Sequence, residues 1–530
     1  MNCAVVLLAC GGPLMAQQQP PQQPPAVPNH SSAAQPATYP IDLPTALRLA
    51  DANNPTVGLA RARVREALAQ LDRVRVLWVP TLSMGPTFFY HDGIDQNRRG
   101  DIFTVARGYY TLGIGPTLRV DLSDALYLPL VAQQTVRAAD SQATATTNNI
   151  QLDVALAYLD LVEIHALLVI NADILERTEQ ILRAAQAGAE AGRNKTAADV
   201  NRATTEVNLR REERLVLRGR AAAAAARLAR LLNLSPSVQL VPYEVAVVPL
   251  VLIPGETTLD ELIQMGLRNR PEMAVAQAEV AAAETLLRQS KAAPLLPRVQ
   301  GEFIGGGLSG GRNDDFSPLQ SQYNAGVALV WNLEAFGLGN AAIIRGRRAG
   351  QDAALYRLQE TQALIASQVV EAAETSAARF AALDAAQEAV RQALEMYRKF
   401  RDASFALTGA KGQLQLDALE TLTAVQALNQ ARVQYLQQVI EFNRSQFRLY
   451  TAIGQPPLSG LDCAVPQPLV VPVVPTAPGA GPPKQPPLPP RPPHTACPTS
   501  DGNPTSISPQ RGLNTGSGVS FHYTRFCPVE

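Results

Sequence analysis

The chain has 530 residues, of which 46% are hydrophobic and only 5% aromatic, and its 46 Lys+Arg balance 46 Asp+Glu. Zero net charge gives no basic field to attract nucleic acid. No stretch reaches the ~18 to 20 consecutive apolar residues of a membrane helix, the richest run, Val245 to Ile253, being short and holding Pro249.

At the N-terminus a short apolar run, Ala4 to Ala9, leads to Leu7-Leu8-Ala9-Cys10, which looks like a bacterial lipobox. Cleavage there would leave Cys10 as the lipidated residue, whereas a second candidate cut after Ala16 would remove it. Residues 1–40 therefore read as a signal or lipobox followed by a Gln/Pro-rich tether. Cys463, Cys497 and Cys527, in or beside the C-terminal tail, have no metal-ligand spacing.

From residue 41 one pattern is written twice. Ile41 to Pro55 is echoed by Thr257 to Pro271, with Leu43, Ala46, Leu47 and Pro55 falling on Leu259, Leu262, Ile263 and Pro271 at one constant offset. Residues 41–256 and 257–458 form two repeats, each a helix, a strand hairpin, a very long helix and a shorter helix.

In the first repeat a helix from Leu43 to Leu77 ends at Val79-Pro80, where proline disfavours its continuation. Periodicity then switches to alternation. Tyr110, Leu112, Ile114, Leu118, Val120 and Leu122 are apolar between small or polar neighbours, predicting a strand with one apolar and one polar face. Leu82, Met84, Phe88 and Tyr90 mark its partner, and Asp92 to Arg107 reads as the connecting loop. The second repeat alternates from Tyr323 to Leu333, preceded by a strand at Val299 to Gly305 and a glycine-rich loop, Gly305 to Arg312.

These strands have the length of tilted membrane strands, but the smallest membrane barrels need about eight. Chains must pool their strands, and three copies would supply about twelve. Helical pattern runs from Ser123 to Ala191 and from Leu338 to Leu407, each on the order of 100 Å at 1.5 Å per residue. The shorter helices Leu43 to Leu77 and Thr196 to Leu232 together match one long helix, so two could stack end to end beside it. Residues 459–530 form a Pro-rich tail predicted to be disordered.

The order of these features resembles the TolC-like family of bacterial outer-membrane efflux factors over about residues 41 to 458. The resemblance is carried by WNLEAFGLGNAAI (Trp331 to Ile343), its counterpart RVDLSDALYLPL (Arg119 to Leu130), the Asn54-Pro55 and Arg270-Pro271 helix openings and LYTAIG (Leu449 to Gly454). It implies a mainly α chain with a small β part. Three copies would build a long-helix α-barrel and a twelve-stranded transmembrane β-barrel in outer-membrane lipid. It also implies a passive exit duct reaching into the periplasm, docked on a periplasmic adaptor and an inner-membrane pump, with no cofactor and no metal.

The family's functional positions lie at the two helix-hairpin tips. Carried over, they give Gly192, Arg193, Asn194 and Lys195, with Gly409, Lys411 and Gly412, as adaptor contacts. Asp199, Asp417 and Glu420 become candidates for the pore constriction. One carboxylate per chain around a three-fold axis would favour cations. Thr196-x-x-Asp199 also fits ordinary helix capping, which explains that Asp locally.

Two other classes compete. An enzyme is disfavoured, because His30, His91, His165, His494 and His522 are scattered without partners at catalytic or metal spacing, and Gly305 to Gly311 lacks the Lys-Ser/Thr of a phosphate loop. A periplasmic coiled-coil adaptor or scaffold lipoprotein would share the Ala-rich helices but has no use for four alternating strands.

Overall fold

The computed structural model describes residues 38–190, 197–243, 247–254, 257–312, 317–406, 418–459 and 465–466. The first repeat opens with strand β1 (Thr38–Ile41), then helices α1 (Leu43–Asn53) and α2 (Pro55–Arg75) and a 3-10 turn, Val76–Trp78. A long hairpin, β2 (Thr81–Gln96) and β3 (Ile102–Asp121), runs into the 69-residue helix α3 (Leu122–Glu190), and α4 (Ala197–Leu231) returns. Strands β4 (Gln239–Pro242) and β5 (Leu250–Val251) link the repeats. The second repeat follows as α5 (Leu259–Asn269), α6 (Pro271–Ala292), β6 (Arg298–Arg312), β7 (Gln320–Val330), a second 69-residue helix α7 (Leu338–Ala406) and α8 (Ala418–Ala452), with β8 (Val465–Pro466) after it.

The expected helix from Leu43 to Leu77 is two helices. Asn54 is both the C-cap of α1 and the N-cap of α2; its Oδ1 accepts the Thr56 N–H at 2.8 Å. Pro55, at the first helical position, needs no partner for a missing N–H. Asn54 also donates from Nδ2 to the Leu231 carbonyl, pinning the break to the end of α4. The second repeat breaks in the same place, Arg270-Pro271, after α5 has opened with a Thr258–Glu261 capping box.

The sheet order is β2-β3-β6-β7, antiparallel throughout. Both expected loops are shorter than the sequence suggested. β2 and β3 pair as far as Gln96↔Ile102, leaving only residues 97–101 as the turn, and Gly305 to Arg312 lies inside β6. Glycine there serves close strand approach: a Cβ on Gly306 would come within 1.9 Å of the Leu112 carbonyl oxygen. β2, β3 and β6 accordingly exceed the length expected for them, whereas β7 begins earlier and stops at Val330, short of Leu333.

Helix α3 packs against α1, α2 and α4 and against α6 and α8, whereas among the described residues α7 packs chiefly against α5, α6 and α8. The two cores follow the duplication. The first gathers Leu47, Leu161, Leu228, Leu232, Ile440 and Phe447; the second gathers Leu262, Ile365, Val369, Leu449 and Ile453. Gly266 lets α5 approach α7, since a Cβ there would meet Val369 at 2.9 Å. Leu47 is fully buried among large neighbours, so Leu47→Ala is expected to cost about 3 kcal/mol, read as a lowered thermal midpoint of the detergent-solubilised protein.

Candidate functional site

The register divides the sheet into two chemically distinct faces. One carries Leu82, Met84, Phe88, Tyr90 and Ile94 of β2, Tyr110, Leu112 and Ile114 of β3, and Tyr323, Val327 and Leu329 of β7, all exposed in the single chain. The opposite face carries Ser83, Thr87 and Asp95, then Arg107, Thr117, Gln300, Glu302, Gln322 and Asn324. Here the Ser83 and Thr117 hydroxyls lie 3.1 Å apart, and Arg107 pairs with Asp95 at 2.9 Å. Phe89 stacks on Tyr109 within this polar face at 5.0 Å. An apolar face with a wet reverse is the arrangement of a barrel wall in lipid. No helix among the described residues is long and apolar enough to cross a membrane.

The long helices are tied to their partners by charges that the sequence reading did not single out. Asp173 of α3 accepts from Arg177 one turn on, at 2.9 and 3.0 Å, and from Arg432 of α8 at 2.5 Å. Arg177 also sits 4.8 Å above the ring of Tyr397 on α7. Burial by itself would raise the Asp173 carboxyl, but hydrogen bonds from Arg177 and Arg432 outweigh it and hold the group below its ordinary value. Nearer the strands, Arg444 of α8 binds Asp160, Glu163 at 2.7 Å and Glu441 at 2.5 Å. Burial lowers the Arg444 guanidinium, the three carboxylates raise it further, and the net direction is up. Towards the tips, buried Glu206 of α4 accepts from Arg210 at 2.9 Å and from Gln426 of α8 at 3.0 Å, linking the two hairpins directly. The i,i+4 pairs Asp173–Arg177 and Glu206–Arg210 were visible in the sequence, but the same spacing decorates solvated helix faces, so it carried no signal of burial.

Of the tip residues, Asp199 is half-buried in the first turn of α4 and Glu420 exposed in the first turn of α8. Asp417, Gly192, Arg193, Asn194, Lys195, Gly409, Lys411, Gly412 and Cys10 lie outside the described residues. The described residues contain no group of three or more His, Cys, Asp or Glu able to hold a metal ion.

A two-faced antiparallel sheet joined to paired hairpins of such length defines the channel class of outer-membrane proteins. The sequence profile of the Outer membrane efflux protein family matches residues 46–234 and 262–455, and the chain belongs to that family. No curated protein matches the chain. Among solved structures it is similar to the outer-membrane channel OprN, with 21% identity, 78% of this chain and 90% of that one covered, and a TM-score of 0.63. It is similar also to the CmeC outer membrane channel of Campylobacter jejuni (16%, 78% and 85%, 0.64) and to the outer membrane protein VceC of Vibrio cholerae (16%, 78% and 96%, 0.62). The protein is an exit duct of the outer membrane, reaching into the periplasm, and not the periplasmic adaptor weighed against it.

Asp173 yields a pH prediction. A carboxylate held below its unfolded value of about 3.9 contributes stability above that pH and loses it as pH falls through the lower folded value. Because its side chain is still 37% exposed, Asp173→Asn is expected to cost only about 1 kcal/mol at neutral pH. The gap in thermal midpoint between wild type and variant should hold above about pH 5 and narrow progressively as pH falls below the unfolded value of about 3.9.

Proposed function

We propose that three copies of the chain close head to tail into one duct that passively carries cargo from an inner-membrane pump, through a periplasmic adaptor, to the cell exterior. The observation that carries this reading is the open sheet: β2 and β7 are edge strands, each with one unpaired side among the described residues. Unpaired backbone groups are not tolerated in hydrocarbon, so β7 of one copy must pair with β2 of the next. The helices repeat the asymmetry, for the flank of α7 that its own chain leaves open would receive the next copy's α2 and α4, as α3 receives them within the chain.

In such a ring the starts of α4 and α8 converge, bringing Asp199, Asp417 and Glu420 towards the axis as a cation-favouring constriction. The neighbouring Gly192 to Lys195, with Gly409, Lys411 and Gly412, would meet the adaptor. The Glu206–Gln426 and Asp173–Arg432 links, which tie hairpin to hairpin behind that mouth, restrain its opening. The repeats occupy 41–256 and 257–458, the leader and tether 1–40 with Cys10 as the lipid acceptor, and the Pro-rich tail 459–530.

In detergent the protein is expected to have the mass of three chains by light scattering and to migrate as a heat-modifiable species; a monomer would overturn the reading. In planar bilayers, Asp417→Ala combined with Glu420→Ala is expected to raise single-channel conductance and reduce cation preference. Unchanged values would remove both residues from the constriction.

A further inference from the structure

The duplicated repeats contain two strand-to-helix passages, and they end differently. In the first, β3 runs straight into α3, and Asp121 receives the Ser123 N–H at 3.0 Å. This passage is covered by the end of α6 and the start of β6: Gln289 donates to Asp124 at 2.5 Å, and Arg298 pairs with Asp121 at 3.4 Å. At this passage the seam between the repeats is therefore polar.

In the second passage Asn332-Leu333-Glu334 occupies the place of Asp121-Leu122-Ser123, but the helix does not start at once. Ala335, Phe336 and Gly337 all adopt left-handed backbone, with φ of 46°, 54° and 92°. The turn is held from both ends. Asn340 Oδ1 accepts the Glu334 N–H at 2.9 Å, and Gly339 admits Glu334 where a Cβ would clash at 2.7 Å. Its product is a Phe336 side chain entirely in solvent, at 102% relative exposure, beside exposed Leu333 and Leu338.

Among the described residues no element covers this passage on its outer side, because it joins edge strand β7 to α7. By the duplication, the counterpart of the α6-to-β6 turn is the α2-to-β2 turn, which leads into the other edge strand. That turn exposes Val76, Trp78 and Val79. Both features lie at the same end of the sheet, since β7 ends opposite Arg298, the partner of Asp121, and β2 begins opposite Thr117.

We propose that Phe336 is the docking knob between copies, seating on Val76, Trp78 and Val79 of the neighbouring copy as the intermolecular equivalent of the Asp121–Arg298 seam. This rests on the head-to-tail ring proposed above and adds which residues lock it. The left-handed turn is the device that carries the ring out to that neighbour.

The test uses the full chain in detergent. Phe336→Cys with Trp78→Cys, bridged by a short bismaleimide, is expected to give denaturation-resistant bands of two and three chains, above the background that the native cysteines give in either single variant. Phe336→Ala is expected to dissociate on heating at a lower temperature than wild type, and Phe336→Trp to keep wild-type resistance. A three-chain wild type with no cross-link, and with Phe336→Ala as heat-resistant as wild type, would overturn the proposal and leave the ring intact. Quenching of the added indole in Phe336→Trp by brominated phospholipid, against a Phe336→Leu control carrying only the native tryptophans, would overturn it in favour of a bilayer contact. A monomeric wild type would remove both the ring and the knob.

Discussion

Four strands cannot satisfy their own edges in hydrocarbon. A bilayer core offers no water to an unpaired N–H or C=O, so a spanning sheet must close on itself, and among the described residues this sheet stops at β2-β3-β6-β7. The outer edges of β2 and β7 are thus complementary liabilities, acceptable only if another copy takes them up. The alternation of faces follows from the same solvent, with Leu82, Met84 and Ile94 on one side of β2 and Ser83, Thr87 and Asp95 on the other.

The helical part answers a different requirement, reach without bulk. Two helices of 69 residues extend on the order of 100 Å, and Ala-rich faces let their partners lie close. Such surfaces bury little area per residue, so the cores concentrate where α1, α4 and α8 meet α3, and where α5 and α8 meet α7. Beside and beyond these cores the helices are tied by largely buried ion pairs. Arg444 is 13% exposed and Arg432 19%, and each is satisfied by carboxylates on α3. Removing one partner of the well-buried Arg444–Glu163 pair leaves a poorly solvated charge and is costly singly, whereas the more exposed Asp173 is lost at a smaller penalty.

How much of this could be read in the sequence depended on the period of the signal. Alternation over Tyr110 to Val120 and the proline breaks gave the strand face and the repeat, because each is a local backbone rule. The same rules misjudged Gly305 to Gly311, where glycine permits close strand contact and not a loop, and the Asn54-Pro55 opening, where a capped helix start interrupts what periodicity reads as one helix. The buried charges were not legible, because Asp173 and Glu206 acquire their meaning only from Arg432 and Gln426 more than two hundred residues away. Of the tip candidates only Asp199 and Glu420 fall within the described residues, and their place at the starts of α4 and α8 agrees with capping as well as with a constriction.

The contrast between the two passages has a physical logic. A seam inside one chain forms at the effective concentration set by its tether, so hydrogen bonds such as Gln289 to Asp124 suffice to set its register. A seam between copies must first overcome lost translational and rotational freedom, a cost of several kcal/mol at least, and apolar burial is the term that scales with area to offset it. Left-handed backbone at Ala335 and Phe336 costs on the order of 1 to 3 kcal/mol each, a penalty that the isolated chain does not recover with Phe336 fully in solvent. With both seams polar, closure on a neighbour would rest on the pairing of β7 with β2 and on helix packing, with no added apolar burial at the second passage. Exchanging the second seam's ion pair for an aromatic knob, at the position where the chain ends its own sheet, makes assembly the step in which the stored strain is compensated.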